Sequence, residues 1–100
     1  MPEWTFITNY GLVLAHIAKH PRSTAREIAS VANITERTTH KIIADLEAEG
    51  YVERQRVGRN NVYRINPDLG LRHELAQDAV IGDLLQVLGW KRRRRKLSSG

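Results

Sequence analysis

The sequence predicts a mainly α-helical domain with a small β-hairpin: a three-helix core, the hairpin as a wing, and an extra C-terminal helix. Three observations predict it. Thr24-Ala25-Arg26-Glu27 fits the S/T-x-x-E pattern of a capping box, which opens a helix. Asn33-Ile34 then supplies a tight turn, and Thr35 caps the next helix. From Tyr51 onward, two alternating β-rich stretches flank Gly58-Arg59-Asn60-Asn61, which is turn chemistry. Capped helix, turn, capped helix and hairpin, in that order, make a winged helix-turn-helix.

Each element has a local cause. Trp4, Phe6 and Ile7 form an apolar lead-in, and Thr8 or Asn9 can cap a first helix. Leu12, Val13 and Ile17, with Tyr10, give that helix a buried stripe at helical spacing, and Pro21 marks its end. The second helix turns Ile28, Ala29 and either Val31 or Ala32 inward. The third runs to about Glu49 on Ile42, Ile43 and Leu46, and Gly50 closes it. In the hairpin, pairing Val57 with Val62 would place Val52, Arg54, Arg56, Tyr63 and Ile65 on one face. A two-residue turn at Asn60-Asn61 would shift the register, and both alternatives stand at this stage. Pro67-Asp68 ends the hairpin. A last helix is expected from about Leu71 to Leu88, with Trp90 closing it and packing onto Trp4, Phe6 and the first helix or onto a second chain.

One hundred residues with 41% hydrophobic content suit one small core. No cysteine is present, which excludes disulfides and thiolate metal sites and suits a reducing compartment. The apolar run from Leu12 to Ala18 lacks a basic flank and is interrupted by His16. It is too short for a signal peptide or a membrane span. The net charge is +5, and the KRRRRK run at 91–96 holds six positive charges, so removing it leaves −1 for the other 94 residues. A basic face must therefore come from local sorting of charge. Such sorting is visible in Arg54, Arg56, Arg59 and Arg64, with no acid from 54 to 67.

In a helix-turn-helix the third helix enters the major groove of duplex DNA by its N-terminal end. The outward residues expected there are Thr35, Glu36, Arg37, Thr38, His40 and Lys41. Arg37 is the leading base reader, since a guanidinium can pair with guanine O6 and N7 together. Lys41 suits a phosphate. In the wing the candidates are Arg54, Arg56, Arg59, Asn60 and Arg64, with Arg59 at the tip suited to a narrow minor groove. Ser23, Thr24 and Arg26, at the start of the second helix, are candidate phosphate contacts.

Other chemistry is thinly supported. His16 and His20 have i, i+4 spacing but no third ligand nearby, and a solvent-facing pair is the better reading. No P-loop, GxGxxG or nucleophile–base pair occurs, so the sequence argues against an enzyme and names no cofactor or metal. Leu75, Ile81, Leu84, Leu85 and Leu88 make the last helix unusually apolar. They are expected to pair two chains into a homodimer, which would double the contacts on a palindromic site. The tail adds sequence-independent attraction to phosphate.

The chain resembles short bacterial or archaeal winged-helix regulators of the broad MarR/ArsR type. The likeness spans about Trp4 to His73. It is carried by WTFITN, by ITERTTHKIIADLEAEGYVERQRVGRNNVYRINP, and by LRH, a combination similar to a small actinobacterial-type MarR-like subgroup. The resemblance implies a DNA-binding transcriptional regulator, with Arg37, Thr38, His40 and Lys41 on its recognition helix and Arg59 in its wing. Thr39 departs from the pattern, standing where relatives carry a small or branched apolar residue. A buried Thr39 would bond back to the Thr35 carbonyl; an exposed one would mean a rotated helix and a different outward set. The cysteine ligands of many ArsR-like metal sensors are missing, which weakens a metal-sensing role.

These readings divide the chain into a winged helix-turn-helix at 1–67, a dimerising C-terminal helix at 68–90 and a disordered basic tail at 91–100. The expected function is sequence-specific binding of double-stranded DNA by a homodimeric, cytoplasmic, nucleoid-associated repressor. The competing reading is a winged-helix protein-interaction module whose basic tail alone touches nucleic acid. A third reading is a ligand-responsive repressor with a small-molecule effector in the dimer cleft, although no cluster of polar residues names one.

Overall fold

Three helix starts in this chain are built the same way, with a threonine hydroxyl receiving an otherwise unpaired backbone N–H. Helix α1 (Asn9–Lys19) begins at Thr8, whose Oγ1 accepts from Gly11 N at 3.2 Å. Helix α2 (Ala25–Ala32) begins at Thr24 with a complete capping box: Glu27 N donates to Thr24 Oγ1 at 3.1 Å, and Thr24 N donates to Glu27 Oε1 at 2.8 Å. Helix α3 (Glu36–Ala48) begins at Thr35, whose Oγ1 accepts from Thr38 N at 3.0 Å. The computed structural model describes residues 5–76 and 78–91. The expected packing of Trp4, and the tail apart from Lys91, lie outside the described residues.

Helix ends are equally regular. Asn33 and Gly50 take left-handed backbone angles, with φ of 59° and 84°. The following amides then reach back five residues: Ile34 N to Ala29 O at 3.0 Å, and Tyr51 N to Leu46 O at 2.9 Å. These bonds satisfy carbonyls that the helix itself leaves open, and they fix the direction in which the chain departs. At α2 this produces the turn into α3. At α3 it sends the chain straight into the hairpin.

Strand β1 (Val52–Val57) pairs antiparallel with β2 (Asn60–Ile65), and Val57 lies opposite Asn60. The turn is therefore Gly58-Arg59, which corrects both registers expected from sequence. Gly58 has φ of 64°, the left-handed value required at the first position of a tight hairpin turn, and glycine adopts it without strain. The face assignment is unaffected, because moving both strands together preserves alternation: Val52, Arg54, Arg56, Tyr63 and Ile65 share one face. Tyr63 N also donates to Pro21 O at 2.9 Å, tying the α1–α2 loop to β2.

The single helix expected from Leu71 to Leu88 is not formed. In its place stand a short 3-10 helix at Glu74–Ala76 and helix α4 at Ile81–Val87. Arg72 adopts a left-handed φ of 66°, and Gly70 pairs with Val80 in an isolated antiparallel bridge. Ile81 N donates to Leu69 O and Gly82 N to Pro67 O, so the segment loops out and returns to its start. This folding back buries Leu69, Leu71, Ile81 and Leu85 at least partly, a task one helical stripe was expected to perform.

The core centres on α1, which packs against α2, α3, β2 and α4. Val13 and Ile17 are fully buried, with Leu14 beside them, and Ile28, Ile42, Ile43 and Leu85 close round. On α2 the inward choice falls on Ala32, while Val31 faces solvent. Ile81 and Leu85 belong to this chain's own core, Leu84, Leu88 and Trp90 pack on its margin, and Leu75 is 93% exposed. Phe6 is exposed rather than covered by α4.

Candidate nucleic-acid interface

The burial pattern of α3 determines which side chains it presents. Thr39, Ile42, Ile43 and Leu46 face inward, and Glu36, Arg37, His40 and Lys41 face solvent. Thr39 is 0% exposed, and its Oγ1 donates to Thr35 O at 3.0 Å. A threonine can be buried here because its hydroxyl is satisfied within the helix. The helix is accordingly not rotated away from its expected setting. Thr38 is half-buried. The Thr35 hydroxyl donates to Thr38 Oγ1 at 3.0 Å, which leaves the Thr38 proton to point elsewhere, for example to a phosphate.

Two of the expected cationic contacts are already engaged by carboxylates on α3. Lys41 Nζ lies 2.9 Å from Asp45 Oδ2, an i, i+4 pair, and Asp45 also accepts from the Tyr10 hydroxyl of α1. These bonds raise the Lys41 pKa above its ordinary value. The Tyr10 bond first, and then Lys41, hold the Asp45 carboxyl below its own. Arg54 reaches from β1 to Glu47, with Nε to Oε2 at 3.2 Å and Nη2 to Oε1 at 2.9 Å. Arg56 turns its Nε to Gly58 O at 3.3 Å, bracing the wing turn.

Arg59 and Asn60 are exposed at the wing tip. Arg64 is exposed as well, but on the opposite hairpin face from Arg54 and Arg56, directly across from Glu53. Thr24 and Arg26 are exposed at the start of α2, and the Thr24 hydroxyl keeps its proton to donate. Ser23 is turned inward, and its Oγ meets His16 Nε2 at 3.0 Å. The fold thus groups Arg37, His40 and Lys41 on one helix face, with a wing rooted immediately after that helix.

Asp45, Glu47 and Tyr10 had no place in the expected interface. The Lys41–Asp45 spacing was visible in sequence as an i, i+4 pair. The Glu47–Arg54 pair was not, because it depends on the chain reversal at Gly50. A cavity of about 470 Å³ lies behind this region, between α1, the end of α3 and the segment from Leu71 to Leu84. Its wall is mostly apolar, with Tyr10 and Asp45 at one side.

The family model for the MarR family matches residues 7–60, just over half of the chain and the part that holds α1, α2, α3, β1 and the wing turn. The chain belongs to the MarR family. It is a DNA-binding transcriptional regulator, in a family of regulators rather than enzymes, and MarR-family regulators typically act as dimers. No match is found among curated proteins. Among the described residues, no helix is long and apolar enough to cross a membrane. In this MarR-family winged helix, α2 and α3 form the helix-turn-helix and the hairpin is the wing.

Proposed function

We propose that this MarR-family chain represses transcription as a homodimer that reads a palindromic duplex site, each α3 in a major groove and each wing tip over the neighbouring minor groove. The observation that carries this reading is the solvent-facing group of Glu36, Arg37, His40 and Lys41 on the first turns of α3. Arg37 is the base reader, suited to guanine O6 and N7. Thr38, Lys41, Thr24 and Arg26 meet phosphates, and Arg59 with Asn60 works at the wing tip. A cytoplasmic, nucleoid-associated location follows from this role. Dimer formation draws on exposed apolar side chains of the C-terminal segment, Leu75 and Val87. Arg37→Ala should cost about 1–3 kcal/mol at one base pair of each half-site and relax specificity there. Equal loss on all sequences would instead make Arg37 a phosphate contact. No loss would favour the protein-docking alternative.

A second role, response to an effector, draws on the apolar cavity. A compound seated there would meet Tyr10 and Asp45, the pair that also holds Lys41 of the recognition helix. Effectors of this kind should raise the melting temperature and change DNA affinity, and Tyr10→Phe should uncouple the two effects.

A further inference from the structure

We propose that Glu47 and Arg54 form a clamp that sets the wing against the recognition helix, so that Arg54 acts on DNA by positioning rather than by touching a phosphate. The inference rests on the reading that α3 and the hairpin contact one duplex.

The geometry is specific. Arg54 presents two guanidinium N–H groups to the two oxygens of one carboxylate, at 3.2 and 2.9 Å. A forked contact of this kind fixes orientation as well as distance. Arg54 lies on the hairpin face that carries buried Val52 and Tyr63, so the pleat directs it toward the core side. Beyond Val52, every residue of β1 is exposed, and the buried residue of β2 is Tyr63, which lies across from Arg54 itself, so the outer hairpin from Gln55 to Val62 lies beyond the buried part. Among the described residues, the Glu47–Arg54 pair is the side-chain hydrogen bond that joins α3 to that outer hairpin. The Lys41–Asp45 pair differs, because both partners belong to α3 and their contact positions no second element.

Charge gives the same answer. A carboxylate near a DNA-facing surface repels phosphate unless a cation neutralises it. Glu47 is 26% exposed at its side chain, and its partner is 43% exposed. Such a pair adds little to stability. Its value lies in fixing where the wing tip, with Arg59, stands relative to Arg37.

The test uses the full chain with Arg54→Ala, Arg54→Lys and Glu47→Ala. Affinity for a selected duplex is measured across a salt series, and amide exchange of the wing is measured in the free protein. All three variants should bind several-fold more weakly with an unchanged slope of log affinity against log salt. Amides from Gln55 to Val62 should exchange faster in each. Lysine should fail to rescue, since it keeps the charge but not the fork. The clamp is overturned if Arg54→Ala lowers the slope by about 0.9, the value of one phosphate contact, while Arg54→Lys binds normally. It is also overturned if Glu47→Ala binds as tightly as the parent. If the parent chain shows no sequence-specific binding, the DNA reading fails, and exchange rates still decide the clamp: unchanged wing exchange overturns it, and faster exchange supports it.

Discussion

Thr39 shows how much one hydroxyl can settle. Its complete burial, made tolerable by the bond to Thr35 O, fixes the rotation of α3 and therefore the set of side chains that face solvent. Valine has nearly the same shape, and Thr35 O keeps the Thr39 amide as a donor at 3.0 Å. Thr39→Val should therefore change stability by less than about 1 kcal/mol in denaturant melts, with DNA binding intact. His16 is the matching case for acid. Burial, and then the neighbouring charge of His20, lower its pKa below 6.5, with Lys19 acting in the same direction and Glu27 against it. The fold thus favours neutral His16. Its contribution is fully present above about pH 6.5, the unfolded value, and is lost as pH falls through the lower folded one. Thermal melts of His16→Gln should show a shallower fall below pH 6.5 than the parent; parallel curves would assign the loss to other groups.

At the scale of elements, local signals were legible where a short stretch of sequence decides the geometry. Thr8, Thr24 and Thr35 could each be identified as caps, and Asn33 and Gly50 as stops, because hydroxyls near free amides and left-handed backbone are matters of a few residues. Thr24→Ala should cost about 1 kcal/mol, seen as a lowered midpoint in denaturant, with helix content nearly unchanged. Signals that depend on distant partners were less legible. The turn at Gly58-Arg59 was hidden among four adjacent turn formers. The C-terminal apolar run has helical spacing in sequence, yet Gly70 paired with Val80 and the left-handed Arg72 divide it. Its leucines answer to a core centred on α1, which no local pattern reveals. The interface shows the same limit: the outward side of α3 could be read from its periodicity, whereas the attachment of Arg54 to Glu47 required knowing where β1 departs.

For the whole molecule, charge and apolar surface define the remaining expectations. Outside the KRRRRK run the chain is nearly neutral, so the proposed duplex reading draws on the local charge of the α3 face and wing rather than on bulk attraction. Leu75 and Val87 are 93% and 81% exposed, whereas Ile81 and Leu85 sit in the core. Leu75→Glu combined with Val87→Glu should yield folded monomers by light scattering, with a melting temperature close to the parent's. Unchanged dimer mass would place the pairing surface elsewhere. Ile81→Glu should unfold the chain instead, because it introduces an unpaired charge into the core.

The most direct test of the central claim is selection from a randomised duplex library, using the full chain and a chain ending at Trp90. DNA reading by α3 and the wing predicts an enriched palindromic motif that survives removal of the tail, with half-sites about one helical turn apart. Absence of any motif, with binding lost when the tail is removed, would contradict it and leave the wing and α3 as a protein-docking surface.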